Sequence, residues 1–486
     1  MKNINWLLAS AGLASMTACG GKAEAPDPDV LFIFVDDMQK DAISFCGNPD
    51  SWTPNINRIM NQAVVFDNAY TNGALCGALS MPSRAMVMTG RGVFDVQSDG
   101  LKIPVCHTTM PEHFRKTGYR TFETGKWHSD MESFNRSFSE GENIFFGGMH
   151  PYETGGHQSA KLHHFDPAGA YDHPFIAGLF SSKMFADAAV HFLETTKEDK
   201  RPYFAYIAFT SPHDPRNVLP DYGHKYDADT LKVPENFLPE HPFDNGELAI
   251  RDELVLPPPR TEGQIRNELA LYYGMVSEVD LQIGRVLDAL EKTGRKDNTI
   301  LVFASDNGLA MGQNGLLGKQ SLYEHSVGVP LAIVDFRKET KERHSEALCY
   351  LSDLFPTLCD LTGIETPSSV TGQSLYPAMK GAEGPHQDIF LAYSNQQRAL
   401  VKDGFKYIIY NVEGKITEQL FDLEADPGEM NNLAASQPEK VKEYRALLAG
   451  RMKEHGDFCD LDKNPWWSDG HKLEWEELIQ LYVFDE

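Results

Sequence analysis

Two pairs of oxygen-bearing residues, Asp36-Asp37 and Asp306-Asn307, each lie just beyond an apolar run, far apart in the chain. Their carboxylate and amide oxygens suit a hard cation, Ca²⁺ first and Mg²⁺ second. A third polar group, Ser211-Pro212-His213-Asp214, follows another apolar run. Between them in sequence lies Ser80-Met81-Pro82-Ser83-Arg84. A serine before a Pro-Ser-Arg turn that opens a helix sits where backbone N–H groups and the helix dipole favour an anion. The same short pattern also fits an ordinary helix start, where Ser and Pro are common.

The elements that must position these groups are legible. Val30–Val35, Tyr203–Phe209, Thr299–Ala304 and Leu331–Val334 are unbroken apolar runs, as expected of strands buried on both faces. Met275, Val276, Val279, Ile283, Val286, Leu287 and Leu290 recur at helical spacing, and Gly294 sits where that helix should stop. Strands alternating with helices imply an α/β sandwich with a mostly parallel sheet. Ligands gather at the carboxyl ends of such strands, so the three polar groups should meet at one edge. Residues 220–263 are rich in Pro and acidic side chains and read as a long insertion, either a wall of the site or a solvated excursion. Past about Gly381, short strand-like runs (Ala399–Val401, Lys406–Tyr410, Gln419–Asp422) and a helix over 438–452 suggest a small antiparallel domain.

The segment Ser80–Arg84, continued to Thr89-Gly90, resembles the signature of type I sulfatases in the alkaline phosphatase superfamily. That signature is Cys or Ser, any residue, Pro-Ser-Arg, four residues, Thr-Gly. Cys76 lacks the following Pro-Ser-Arg. Further elements similar to the family's follow in order: Asp36-Asp37, Gly125-Lys126-Trp127-His128, Pro212-His213, Asp306-Asn307-Gly308 and Gly318-Lys319. The resemblance runs from about Asp29 to about Asn432. It implies an alkaline-phosphatase-like α/β fold, with a large mostly parallel sheet flanked by helices (29–381) and a smaller C-terminal antiparallel subdomain (382–486). It implies that a maturase oxidises Ser80 to 3-oxoalanine, also called Cα-formylglycine. It implies a calcium ion held by Asp36, Asp37, Asp306, Asn307 and residue 80.

The resemblance also implies roles. The hydrated aldehyde at position 80 attacks sulfur, and Asp306 takes its proton. His213, with Lys319, protonates the leaving sugar oxygen. His128 is the base for sulfate release, and Arg84 and Lys126 neutralise developing charge. Three carboxylates are matched by three fixed cations, so a divalent ion would make the pocket positive. That matters in a chain of net charge -26, whose acidity argues against nucleic acid as a partner. The implied substrate is a sulfated carbohydrate. A phosphoesterase with two zinc ions, a choline-type sulfate ester, and a non-catalytic glycan binder carrying unmodified Ser80 are the alternatives. His150, His157, His163 and His164 could line a sugar subsite or be ordinary loop histidines. Gly328 stands where family members often carry Arg.

Lys2, the short apolar stretch Trp6–Met16 and Met16-Thr17-Ala18-Cys19 resemble a bacterial lipoprotein signal, over 1–19. A polar tether follows over 20–28. The expectation is export to the periplasm or outer membrane, with membrane contact only through a lipid on Cys19. The six later cysteines match no zinc pattern, and export permits but does not require disulfides among them.

Overall fold

The computed structural model describes residues 27–216, 219–221, 223–463 and 466. The expected signal and most of the tether lie outside the described residues.

Eight strands form one sheet. Across it they run His344–Tyr350, Val64–Tyr70, Leu331–Asp335, Thr299–Ser305, Asp29–Val35, Tyr203–Ala208, Arg120–Lys126 and Glu140–Phe145. Five of the seven pairings are parallel. The exception is Leu331–Asp335, antiparallel to both neighbours. Its sequence is one more apolar run and its burial is complete, so composition alone carries no sign of its direction. Asp29–Val35 and Thr299–Ser305 are buried throughout, as central strands covered on both faces must be.

The long helix Glu262–Thr293 and the helix Ser181–Thr195 cover one face. Ile265, Val276, Val279, Ile283 and Val286 of the long helix are fully buried there. Each such side chain contributes about 1.5–3 kcal/mol of burial. The helix begins earlier than its apolar stripe suggests, because Thr261 and Gln264 form a reciprocal capping box. It ends at Gly294 in the left-handed conformation, as expected. Ser80–Thr89 and Leu354–Thr362 pack on the other face.

The second sheet has five strands, ordered Lys415–Asp422, Phe405–Val412, Gln397–Lys402, Ile389–Tyr393 and Gly73–Ala74. The first four form an antiparallel meander. The last pairs in parallel and comes from the segment just before Ser80. The smaller sheet is thereby stitched to the loop that leads into the site. The helix Pro438–Glu454 packs against this meander through Tyr444, Leu448 and Met452. Among the described residues no helix is long and apolar enough to cross a membrane.

Candidate active site

Strand register builds the centre. Val35 is the parallel partner of Ser305, so Asp36-Asp37 and Asp306-Asn307 leave neighbouring strands side by side. Asp306 Oδ1 accepts the Asp37 N–H at 3.1 Å, which locks the two turns together. Asp37 itself takes a left-handed φ of 61°, unusual for a residue with a side chain and a mark of a functional turn. Tyr272 of the long helix fixes the turn from below. Its hydroxyl donates to the Asp37 carbonyl at 2.8 Å and accepts the Gln39 N–H at 2.9 Å. Nothing in the sequence marks this tyrosine apart from its place on the buried stripe.

The Ser80–Thr89 helix points its first residue into the same spot. Ser80 is buried, and its Oγ lies 3.1 Å from both Asp36 Oδ1 and Asn307 Oδ1. Lys319 Nζ donates to it at 3.2 Å and to Asp37 Oδ1 at 2.6 Å. One turn along the helix, Ser83 Oγ donates to the Asp306 carbonyl at 2.6 Å. Arg84 Nε donates to Asp306 Oδ2 at 3.0 Å, and Arg84 Nη2 stands 3.5 Å from Asp36 Oδ1. The serine hydroxyl thus has Asp36 as its carboxylate neighbour, while Asp306 is engaged by Arg84 and by backbone N–H groups.

Lys126 closes the third side. It ends the strand Arg120–Lys126, is fully buried, and reaches Asp36 Oδ2 at 2.6 Å. Gly125 must be glycine for this approach, since φ is +110° and a Cβ would stand 1.9 Å from the Ala208 carbonyl oxygen. His128, two residues beyond Lys126, also has a left-handed φ, 65°. Burial, with Lys126 and Arg84 nearby, holds its imidazole well below the usual range, so it is neutral. Burial acts on His213 in the same direction but is outweighed by Asp37 and Asp214, which raise it. His213 Nε2 lies 3.6 Å from Asp37 Oδ2, and Nδ1 donates to the Asp214 carbonyl at 2.9 Å.

Oxygens of Asp36, Asp37 and Asp306 lie within 4.8 Å of one another, all three residues being buried. Burial and the neighbouring Asp36 charge raise Asp306 to about 7. Asp36 shares that burial penalty, but Lys126 and Arg84 outweigh it and keep the carboxyl well below its usual range. Carboxylates so placed do not all ionise without further positive charge. With Asn307 Oδ1 alongside, the donor set fits a hard divalent cation.

All the residues singled out from the sequence, Asp36, Asp37, Ser80, Arg84, Lys126, His128, His213, Asp306, Asn307 and Lys319, belong to or border this one buried cluster. Two of the histidines considered for a sugar subsite do not line it. His150 and His157 are about 1% exposed. His150 Nε2 lies 3.0 Å from Thr210 Oγ1. His157 bridges Ser181 Oγ and the His213 carbonyl, each at 2.9 Å. They brace the His213 segment from inside. His164 is exposed and stacks on Phe175. Gly328 has no room for a side chain, since a Cβ would stand 2.8 Å from the Glu324 carbonyl oxygen.

Comparison with known proteins agrees with this geometry. The sulfatase family model matches residues 28–364. A second model, that of the N-sulphoglucosamine sulphohydrolase C-terminal region, matches 312–456. An N-acetylglucosamine-6-O-sulfatase of Bacteroides thetaiotaomicron is 27% identical, over 94% of this chain and 92% of its own. A choline-sulfatase of Rhizobium meliloti is 28% identical, over 84% and 82%. The solved structure of BT4656, in complex with its substrate D-glucosamine-2-N,6-O-disulfate, superposes with a TM-score of 0.69 at 23% identity, over 89% of this chain and 99% of that one. With the family match covering well over half of its length, the chain belongs to the sulfatase family and is a sulfuric ester hydrolase.

Proposed function

We propose that this sulfatase removes sulfate from carbohydrate, using calcium and a formylglycine made from Ser80. The observation that carries the reading is the position of Ser80 Oγ. It sits at a helix tip within 3.2 Å of Asp36, Asn307 and Lys319, inside a full match to the family's maturation signature. The formylglycine supplies an aldehyde hydrate, with one hydroxyl for attack and a second that lets sulfate leave afterwards. Calcium supplies positive charge for the sulfate oxygens.

The chain's own residues do the rest. Arg84 and Lys126 flank the nucleophile and offset developing negative charge. Asp306, whose side chain is held by Arg84 and by the Asp37 and Asn307 N–H groups, takes the nucleophile's proton as an ionised carboxylate. On the other side His213 presents Nε2 and Lys319 presents Nζ, so both can give a proton or hydrogen bond to the leaving oxygen. His128, neutral in the fold, accepts the proton that starts sulfate release.

The carbohydrate assignment is supported by relatives whose names specify glucosamine sulfates. The choline-sulfatase relative keeps a small alkyl sulfate ester as the second reading. With the lipoprotein-like segment ending in Cys19, the reading extends to an exported, lipid-anchored enzyme acting at the cell surface.

The test is production with a radical-type maturase, intact-mass measurement, and assay on a panel of sulfated sugars with choline sulfate and aryl sulfates. The expected result is a protein lighter by two hydrogens that desulfates at least one sugar. Matured protein that leaves every sugar sulfate intact would overturn the carbohydrate reading. Active protein carrying unmodified serine would overturn the formylglycine reading.

A further inference from the structure

Within the 220–263 insertion, Arg251–Leu254 forms a short α-helical turn. Consecutive residues on a helix fan out by roughly 100° each, so three in a row reach different neighbours. Here all three reach segments that carry acid-side groups of the site.

Arg251 forms a two-pronged pair with Asp214, Nη1 to Oδ2 at 2.5 Å and Nη2 to Oδ1 at 2.9 Å. Such fork-to-fork pairs fix geometry as well as charge. Asp214 in turn holds His213, whose Nδ1 is 2.9 Å from the Asp214 carbonyl and 3.1 Å from its Oδ1. With Nδ1–H committed there, Nε2 is the atom that faces Asp37. Asp252 Oδ2 accepts from Gln320 Nε2 at 2.7 Å, and Gln320 Oε1 accepts the Lys319 backbone N–H at 3.0 Å. Glu253 Oε1 accepts the N–H groups of Leu317 and Gly318 at 3.0 and 2.8 Å.

The turn is itself anchored. Buried Arg260 donates to the Glu253 side chain at 2.6 Å, to the Glu253 carbonyl at 2.9 Å and to the Gly315 carbonyl at 2.8 Å. Packing is close as well. A Cβ on Gly318 would stand 3.1 Å from both Asp252 Cβ and Glu253 Oε1.

We propose that Arg251, Asp252 and Glu253 are positioning residues that hold His213 and Lys319 as one unit on the leaving-group side of the site. This rests on the reading above, in which those two residues act on the departing oxygen. This Arg251–Glu253 strap acts through Asp214 on one side and through Gln320 and the 317–318 backbone on the other. Loosening it therefore matters in proportion to how much help the leaving oxygen needs. A sugar or choline alkoxide needs a proton, whereas a nitrophenolate departs almost unaided. General-acid assistance is worth about 10²–10⁴ in rate.

The experiment compares matured wild type with Arg251→Gln and Asp252→Asn on the best alkyl sulfate from the panel and on 4-nitrophenyl sulfate. Arg251 is partly exposed and Asp252→Asn keeps side-chain shape, so at least one variant should fold. The expected result is a loss of about 10- to 100-fold in kcat on the alkyl ester with less than about threefold on the aryl ester. In a His213→Ala background, Arg251→Gln should have little further effect on the alkyl ester, because it acts through that histidine. Equal losses on both esters, or a full additional loss in the His213→Ala background, would overturn the strap as a positioning device and leave a structural brace. Failure of the underlying reading looks different, since matured wild type would then leave the alkyl sulfates intact.

Discussion

Lys126 and Asp36 form a completely buried ion pair, Nζ to Oδ2 at 2.6 Å, with each side chain at 0% exposure. Burying such a pair is costly unless both charges find further partners. Asp36 does, through Arg84 and Ser80. Lys126 has one carboxylate partner, and burial lowers its pKa. The pair makes sense as part of a site in which several charges, including a divalent ion and an anionic ester, balance one another.

Metal removal follows from that balance. A chelator should lower turnover by more than about 100-fold, since the carboxylate cluster then loses its main positive charge. It should also lower the melting temperature, because a ligand bound only to the folded state stabilises it. Calcium should restore both, and metal analysis should find one calcium per chain. Two tightly bound zinc ions would instead indicate phosphoesterase chemistry.

Gly148 offers a probe of His128 that leaves the histidine in place. A Cβ at this position would stand 2.9 Å from His128 Nε2. Gly148 does not have a positive φ, so the substitution carries no backbone strain of its own. Gly148→Ala should cut kcat by about 10- to 100-fold through misplacement of the imidazole. The melting temperature should move by only a few degrees. A normal kcat would remove His128 from the reaction.

Much of this site was legible in the sequence because its parts lie at ends of buried strands. Apolar runs announce such strands, and the polar residues that break them are the ones the sheet edge collects. Asp36, His213 and Asp306 were found in that way. Lys126 was not found from hydrophobic pattern, since Arg120–Lys126 contains Arg, Thr, Glu and Lys and reads poorly as a buried strand; only its motif marked it. Tyr272, Arg251 and Glu253 had no signal. Their roles depend on how a helix and an irregular insertion dock, which local periodicity does not encode. The direction of Leu331–Asp335 was hidden for the same reason.

Glu123, on the strand that carries Lys126, is fully buried, and neither side-chain oxygen has a hydrogen-bond partner. Burial pushes its carboxyl well above the usual range, with Arg84 pulling back only in part. The fold therefore favours the neutral acid more strongly than the unfolded chain does. For a carboxyl raised in the fold, the stabilising contribution is present below the unfolded pKa, about 4.5, and is lost as pH rises. Glu123→Gln should be more stable than wild type at pH 7, with the gap narrowing by up to about 1.4 kcal/mol per pH unit on acidification towards 4.5. Urea midpoints at several pH values measure this. A destabilised variant at pH 7 would mean that Glu123 is ionised as a partner of Arg84.

His325 gives the opposite sign. Burial, then the neighbouring Lys406 and His241, lower its imidazole to about 3. Its Nδ1 meets Ser326 Oγ at 2.9 Å, and its buried Nε2 has no hydrogen-bond partner. The folded chain thus keeps this ring neutral, while the unfolded chain protonates it near the ordinary value of 6.5. Above that value the two states carry the same charge and stability is flat. As pH falls from 6.5 towards 3, only the unfolded state gains the proton, and stability is lost by up to about 1.4 kcal/mol per unit. His325→Gln should remove that part of the slope. The slope left behind has a second source in His157, lowered chiefly by burial to about 4. Denaturation midpoints at pH 7.5, 6 and 5 should therefore converge on those of wild type from above as pH is raised, once the variant's pH-independent offset is subtracted. An unchanged slope would place the imidazolium of His325 within the fold, stabilised by a counter-charge it does not have in this arrangement.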